Sequence, residues 1–264
     1  MSNRAWCAMI AVALLCSLAF PVAAAADVLP AKVLMVLTSV ARIPGTERET
    51  GFWAEEFVVP CETFEKAGLE VVTASVSGGL APVDQASLNP ATIGKEQAAS
   101  YTRALESRRA LLQTRPLGEV KAADYAAVFV VGGHGVMWDL ADSADLHRIA
   151  REALETGRVL SAVCHGPSAL VNARARNGAP LLRFRNVTGF SNAEEAAAQM
   201  TAVVPFSLQD RLSGATGGRY RCAAPWQSNV VESGRLITGQ NPASSRATAD
   251  AVVRLVKLLG ARPR

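Results

Sequence analysis

The residues with most chemistry to offer fall in two short stretches, "SAVCHGP" (161–167) and "VVGGHG" (130–135), each the end of an apolar, β-rich run. A cysteine set between a strand and a following helix sits on a tight turn that thrusts its side chain outward, the arrangement of a nucleophile elbow. Cys164 occupies that place. Helix amides and the positive end of a helix dipole lower a thiol's pKa, so the sequence predicts that Cys164 is ionised near neutral pH. Pro167 suits the first helical turn because its missing donor costs nothing there. A buried small hydrophobe is the other reading of a strand-end cysteine, and the direct switch into His-Gly-Pro favours the elbow.

A thiolate nucleophile needs proton partners and donors for the oxygen that it charges. The backbone amides of Gly133 and His165 are the candidate oxyanion donors, with a plain tight turn as the alternative for the glycines. In "GFWAEEFVVPCETFEKAG" the residues Trp53, Phe57, Pro60, Phe64 and Ala67 trace one helical face. Glu56 lies on that face, whereas Glu55 groups with Glu62 and Lys66. Glu56 is therefore expected to point inward with a raised pKa and to pass protons near neutral pH. In "SNAEE" the Ser191-x-x-Glu194 spacing is a capping box, which leaves Glu195 unexplained. It either orients His165, as the third member of a triad does, or satisfies a helix dipole in the first turn. His134 and His147 are read as solvent-exposed.

Several chemistries are excluded by what is missing. A working glutamine amidotransferase or papain-like peptidase needs a histidine well downstream of the cysteine, and the three histidines are His134, His147 and His165. No metal-ligand spacing such as His-Glu-x-x-His is present, so no metal and no cofactor is expected. The arginines of 103–115 and Arg174, Arg176, Arg183 and Arg185 read as solvated faces. They lack aromatic interleaving and a nucleic-acid motif, and a net charge of +4 is modest; no nucleic-acid partner is expected.

The elements that must position these residues follow from the hydrophobic pattern. "KVLMVLT" (32–38) is a short continuous apolar run of the kind a buried parallel strand gives. Helix (51–66), strand "LEVVTAS", a helical insertion (95–113), "YAAVFVV", helix (142–156) and "RVLSAV" succeed one another. A short helix to about Arg174, "NVTGF", a helix from about Ala193, the hairpin-like pair "NVVES" and "RLITG", and a closing helix (245–259) complete the chain. Such alternation implies an α/β fold, a mainly parallel doubly wound sheet covered on both faces, in one domain over 27–264. Ligands in such sheets bind outside the carboxyl ends of the strands. Residues 1–26 carry Arg4, an apolar run from Ala8 to Phe20, Pro21 and an Ala-x-Ala site ending at Ala25 or Ala26, the pattern of a secretory signal peptide. An exported protein, periplasmic or secreted, without a membrane partner in its mature form is the expectation. Cleavage would leave Cys61, Cys164 and Cys222, an odd set in which at least one thiol is unpaired; a Cys61–Cys222 bridge stays open.

"AVCHGP", "GGHG", "TGFWAEEF", "VTGFSNAEE" and "LITGQNPAS", in that set and order, resemble the ThiJ/PfpI superfamily within the class I glutamine amidotransferase-like, flavodoxin-like fold. The resemblance runs from about Lys32 to Leu259 and is strongest to the glyoxalase III-like branch, which includes stress-induced holdase chaperones. It implies Cys164, His165, Glu56 and Glu195 as catalytic residues and Trp226, of "CAAPW", as a wall of the substrate pocket, with core packing as the other role for Trp226. It also implies a small aldehyde or dicarbonyl substrate, methylglyoxal converted to lactate without glutathione or metal, and a homodimer. In that chemistry Cys164 adds to the aldehyde, Glu56 moves protons through an enediolate and His165 assists hydrolysis of a thioester. The alternative is a non-catalytic holdase or redox sensor that uses an oxidisable Cys164.

Overall fold

In this computed structural model the described residues are 29–260; the expected signal peptide lies outside them. The chain opens with β1 (Lys32–Leu37), α1 (Ala54–Lys66) and β2 (Glu70–Ser75). A peripheral segment follows: β3 (Gly79–Leu80), α2 (Pro90–Ile93), α3 (Lys95–Ser107) and β4 (Gln113–Pro116). Next come β5 (Ala127–Val130), α4 (Val136–Asp139), α5 (Ala144–Glu155) and β6 (Val159–Val163). After α6 (Asn192–Ala197) and α7 (Leu208–Thr216), the hairpin β7 (Val230–Ser233) and β8 (Leu236–Gly239) leads into α8 (Ser245–Leu258).

The strands form one sheet in the order β3-β4-β2-β1-β5-β6-β8-β7. The six central strands are parallel and only the outermost pairs, β3/β4 and β7/β8, are antiparallel. Every residue of β5 and β6 is fully buried. Because successive side chains point to opposite faces, both faces of the sheet must be covered. α1 packs against α8, and α5 packs against β5, β6 and the 3₁₀ turns before β5. Phe64 of α1 meets Phe129 of β5 edge to face with centroids 5.6 Å apart, a contact worth about 0.5–1.5 kcal/mol beyond the area it buries. α1 runs unbroken through Pro60, at the cost of the hydrogen bond that the Glu56 carbonyl would otherwise receive.

Three local expectations change. The helix expected after Cys164 is a five-residue 3₁₀ segment, Gly166–Leu170. "NVTGF" is no strand and contributes a single bridge, Val187 to Tyr220. The tail of the 95–113 insertion is a 3₁₀ turn that feeds β4. Cys61, Cys164 and Cys222 are all free thiols. No helix among the described residues is long and apolar enough to cross a membrane.

Candidate active site

β1 and β5 are neighbours from which the chain winds outward in opposite directions, so the sheet's switch point lies between them. The candidate site is built at the carboxyl ends of β1, β5 and β6. Cys164 follows the last residue of β6 with φ +59°. A non-glycine residue rarely holds the left-handed region, at a cost of about 1–3 kcal/mol. Here the turn is pinned on both sides: the Cys164 amide donates to the Gly239 carbonyl at 2.9 Å, and the Phe190 amide donates to the Cys164 carbonyl at 2.9 Å.

The "GGHG" turn after β5 receives the start of α1. The Trp53 amide donates to the Gly132 carbonyl at 3.1 Å. Gly133 has φ +102°, and a Cβ there would stand 2.4 Å from the Gly51 carbonyl oxygen. At Gly132 a Cβ would stand 2.3 Å from Glu56 Oε2 and 2.8 Å from Cys164 Cβ. The two glycines thus let α1 approach closely enough to deliver Glu56 to the cysteine. Glu56 is 0 % exposed, as its helical phase predicts, while Glu55 is half-buried at the edge.

Both Glu56 oxygens lack a partner at ordinary hydrogen-bond geometry, although the carboxyl lies near enough to the Cys164 thiol and the Gly132 amide for each to bear on its ionisation. Burial pushes the Glu56 carboxyl well above its usual range, against those two weaker opposing influences. Burial also pushes the Cys164 thiol up, and the neighbouring Glu56 adds to the rise. This corrects the expectation of a thiolate formed by helix amides. The 3₁₀ turn supplies little dipole, the sulfur is shut away from water, and the His165 amide is the main influence that draws the thiol down.

A different partner stands ready for the thiol proton. Cys164 Sγ lies 3.3 Å from His165 Nδ1, and His165 Nε2 lies 2.9 Å from Glu195 Oε2. Glu195 therefore orients His165 rather than serving only as a first-turn acid. Its other oxygen, Oε1, lies 2.8 Å from His134 Nε2. Burial alone would raise the Glu195 carboxyl, but the charge of His165 and the hydrogen bonds of both histidines hold it at about 2. An ionised carboxylate only accepts, so both imidazoles must donate their Nε2 protons to it. His165 Nδ1 is then left as an acceptor facing the thiol.

His134 departs most from the sequence reading. It is not exposed to solvent: its side chain is 14 % exposed, and its ring lies 4.2 Å from that of His165. The glycines around it, read from the sequence as an oxyanion donor or a plain turn, were the available signal that this imidazole is brought close to backbone. His147 is half-buried, with Nε2 3.0 Å from the Ala141 carbonyl. Glu194 makes the predicted capping box with Ser191 and is also fully buried, accepting from the Trp226 amide, Asn241 and Gln240. Sequence spacing identified the cap and missed these longer-range donors.

Cys164 opens into a cavity of about 70 Å³ walled by Trp53, His134, His165, Phe190 and Trp226. Trp226, at φ +64°, meets Phe190 at 5.6 Å between centroids and stays 48 % exposed, so it forms a wall rather than core. A second, more polar cavity of about 380 Å³ shares Trp53, His134 and Trp226 and reaches Arg48, Thr50 and Asp84. The Gly133 amide donates to no protein oxygen among the described residues. His134, His165 and Glu195 bring ligand-type atoms within 4.8 Å of one another; the Nε2 and carboxylate atoms are hydrogen-bonded to each other as placed.

A doubly wound sheet with an elbow cysteine, an adjacent histidine and a buried glutamate from the first helix defines a class, and residues 49–255 match the model of the DJ-1/PfpI family. The chain belongs to that family. It is 29 % identical to the glutathione-independent glyoxalase HSP31 of Saccharomyces cerevisiae over 83 % of this chain and 95 % of that protein. It is 29 % identical to glyoxalase 3 of Candida albicans over 84 % and 97 %. The crystal structure of glyoxalase III from Candida albicans superposes with a TM-score of 0.76 at 30 % identity, covering 87 % of this chain and 97 % of that one. Rapid Encystment Protein 24 kDa of Francisella tularensis gives 0.77 at 33 % identity, covering 85 % and 98 %.

Proposed function

We propose that this protein is a glutathione-independent glyoxalase that converts methylglyoxal to lactate with no cofactor. The observation that carries the reading is the placement of one thiol between two proton partners, His165 Nδ1 at 3.3 Å and the partnerless Glu56 carboxyl, at the floor of a 70 Å³ cavity. The names of the relatives support it. Cys164 gives its proton to His165 as the sulfur adds to the aldehyde carbon, and the imidazolium that forms is stabilised by Glu195. The amides of Gly133 and His165 stabilise the oxygen that becomes charged. Glu56, protonated because it is buried, gives its proton to the neighbouring carbonyl oxygen, takes the proton of the former aldehyde carbon and delivers that one to the neighbouring carbon, which leaves a 2-hydroxy thioester on Cys164 and an ionised Glu56. Water then releases the hydroxy acid. Phe190 and Trp226 shield the enediolate from solvent, which keeps its protons on this path.

Purified protein incubated with methylglyoxal and no thiol additive is expected to consume the dicarbonyl and produce lactate. Cys164→Ala is expected to abolish turnover; unchanged turnover would overturn the reading. The redox-sensor alternative needs an exposed thiol of low pKa, and Cys164 is 4 % exposed with its thiol raised.

Export of the protein is part of the same proposal, supported by the Arg4, Ala8–Phe20 and Ala-x-Ala pattern alone. Amino-terminal sequencing of the protein from its native cell is expected to begin at Ala26 or Asp27. A start at Met1 or Ser2 would overturn the proposed cleavage.

A further inference from the structure

The proposed reaction leaves His134 without a task, yet His134 is part of the wall of both cavities. Its Nε2–H is committed to Glu195. Its Nδ1 has no hydrogen-bond partner among the described residues. Burial, followed by the nearby His165, lowers its pKa, so the resting imidazole is neutral and Nδ1 carries a free lone pair. His165 differs on this point, because both of its nitrogens are engaged, one with Glu195 and one with the thiol. The polar cavity of about 380 Å³, here called the vestibule, and the cysteine cavity share His134, with Trp53 and Trp226, in their walls.

We propose that His134 is the general base for hydrolysis of the thioester, with its Nδ1 taking the proton of the attacking water. The inference rests on the glyoxalase reading. The water oxygen forms a bond to the thioester carbonyl carbon as one of its protons passes to His134 Nδ1. The tetrahedral intermediate collapses, the carbon–sulfur bond breaks, and the sulfur keeps that electron pair and regains a proton from His165 Nδ1, which received it in the first step. The new carboxyl returns a proton to Glu56, the hydroxy acid leaves as its anion, and His134 releases its proton to the vestibule. The two histidines thereby divide the work: His165 serves the sulfur, His134 serves the water, and Glu195 orients both through its two oxygens.

His134→Gln keeps an N–H for Glu195 and removes the base. With methylglyoxal, this variant is expected to form the Cys164 hydroxyacyl adduct in the first turnover at close to the wild-type rate, as read by rapid quench and intact mass. Its steady-state rate should fall about 10²-fold, and hydroxylamine, which needs no base to attack a thioester, added after unreacted methylglyoxal has been removed, should release the accumulated adduct as the hydroxamic acid. His134→Asn is the second variant should Gln not fold, with the same expectation. A steady-state rate within about threefold of wild type, or a fall with no adduct accumulating, would overturn the assignment. Failure of the glyoxalase reading looks different, because wild-type protein would then consume no dicarbonyl at all.

Discussion

Glu56 and Glu195 are both buried acids within reach of the Cys164–His165 pair, one from the helix after β1 and the other from the first turn of α6. Glu195 is surrounded by donors, with an imidazole on each oxygen, and its carboxyl is held at about 2. Glu56 has no partner at ordinary hydrogen-bond geometry, and burial drives its carboxyl far upward. Position in the fold, not residue type, sets these opposite states. The polar side keeps a fixed negative charge that orients and steadies histidines. The apolar side keeps an acid that is neutral at rest and able to give or take a proton beside a sulfur.

This contrast is broken most severely by removing the mobile proton. Glu56→Gln is expected to lower kcat about 10³-fold or more while making the folded protein more stable at neutral pH. The sign follows from the raised carboxyl: Glu56 favours folding only below its unfolded value of 4.5 and loses that contribution as pH rises through its folded value. Thermal melts of the two proteins should therefore coincide near pH 4 and separate above pH 5, with the variant higher. Parallel curves would mean that Glu56 is not the desolvated acid described.

Glu195→Gln attacks the other side and should cost both properties. Activity should drop about 10²–10³-fold as His165 loses its orientation, and stability should fall by about 2 kcal/mol with two charge-assisted hydrogen bonds weakened. Wild-type stability from Glu195 is present above 4.5 and lost between 4.5 and about 2 as pH falls, so the variant should show a flatter acid limb. Chemical denaturation at several pH values measures both.

Glu194→Gln is expected to act through the cavity wall. Glu194 anchors the Trp226 amide at 2.9 Å and Asn241 at 2.7 Å, so its loss should raise KM severalfold with kcat less affected, as a steady-state KM-against-kcat split would reveal. The smallest effect is expected of Glu55→Gln, on the outer side of the same helix. Activity should stay within about twofold, the ordinary result of changing an edge residue. Burial raises the Glu55 carboxyl to about 7, so its stabilising influence fades as pH climbs from 4.5 to about 7, and a modest gain in melting temperature should appear in the variant above that window.

Much of the fold was legible because its strands are short apolar runs separated by amphipathic helices, a pattern local in the chain. The strands "KVLMVLT" and "RVLSAV" and the closing helix stand where periodicity places them. "NVTGF" was not legible for the opposite reason. Its β-branched and aromatic residues suit a strand, but Thr188 donates its amide to the Thr238 side chain and Phe190 its amide to the Cys164 carbonyl, so the segment serves as a brace for the elbow. Glu56 was legible because helical phase alone decides which side of α1 it faces. His134 was not, because the groups it meets, the Glu195 carboxylate and the rings of His165 and Phe190, are distant in the chain.

The sequence by itself determined the α/β order of elements, the turn that carries Cys164 and the inward face of Glu56, since each depends on residues a few positions apart. Tertiary structure alone decided how the site is charged. Whether a thiol, a carboxyl or an imidazole ionises depends on how much water reaches it and which groups stand within a few ångströms. Here those neighbours come from α1, the ends of β5 and β6, and α6, which only the assembled sheet brings to one edge.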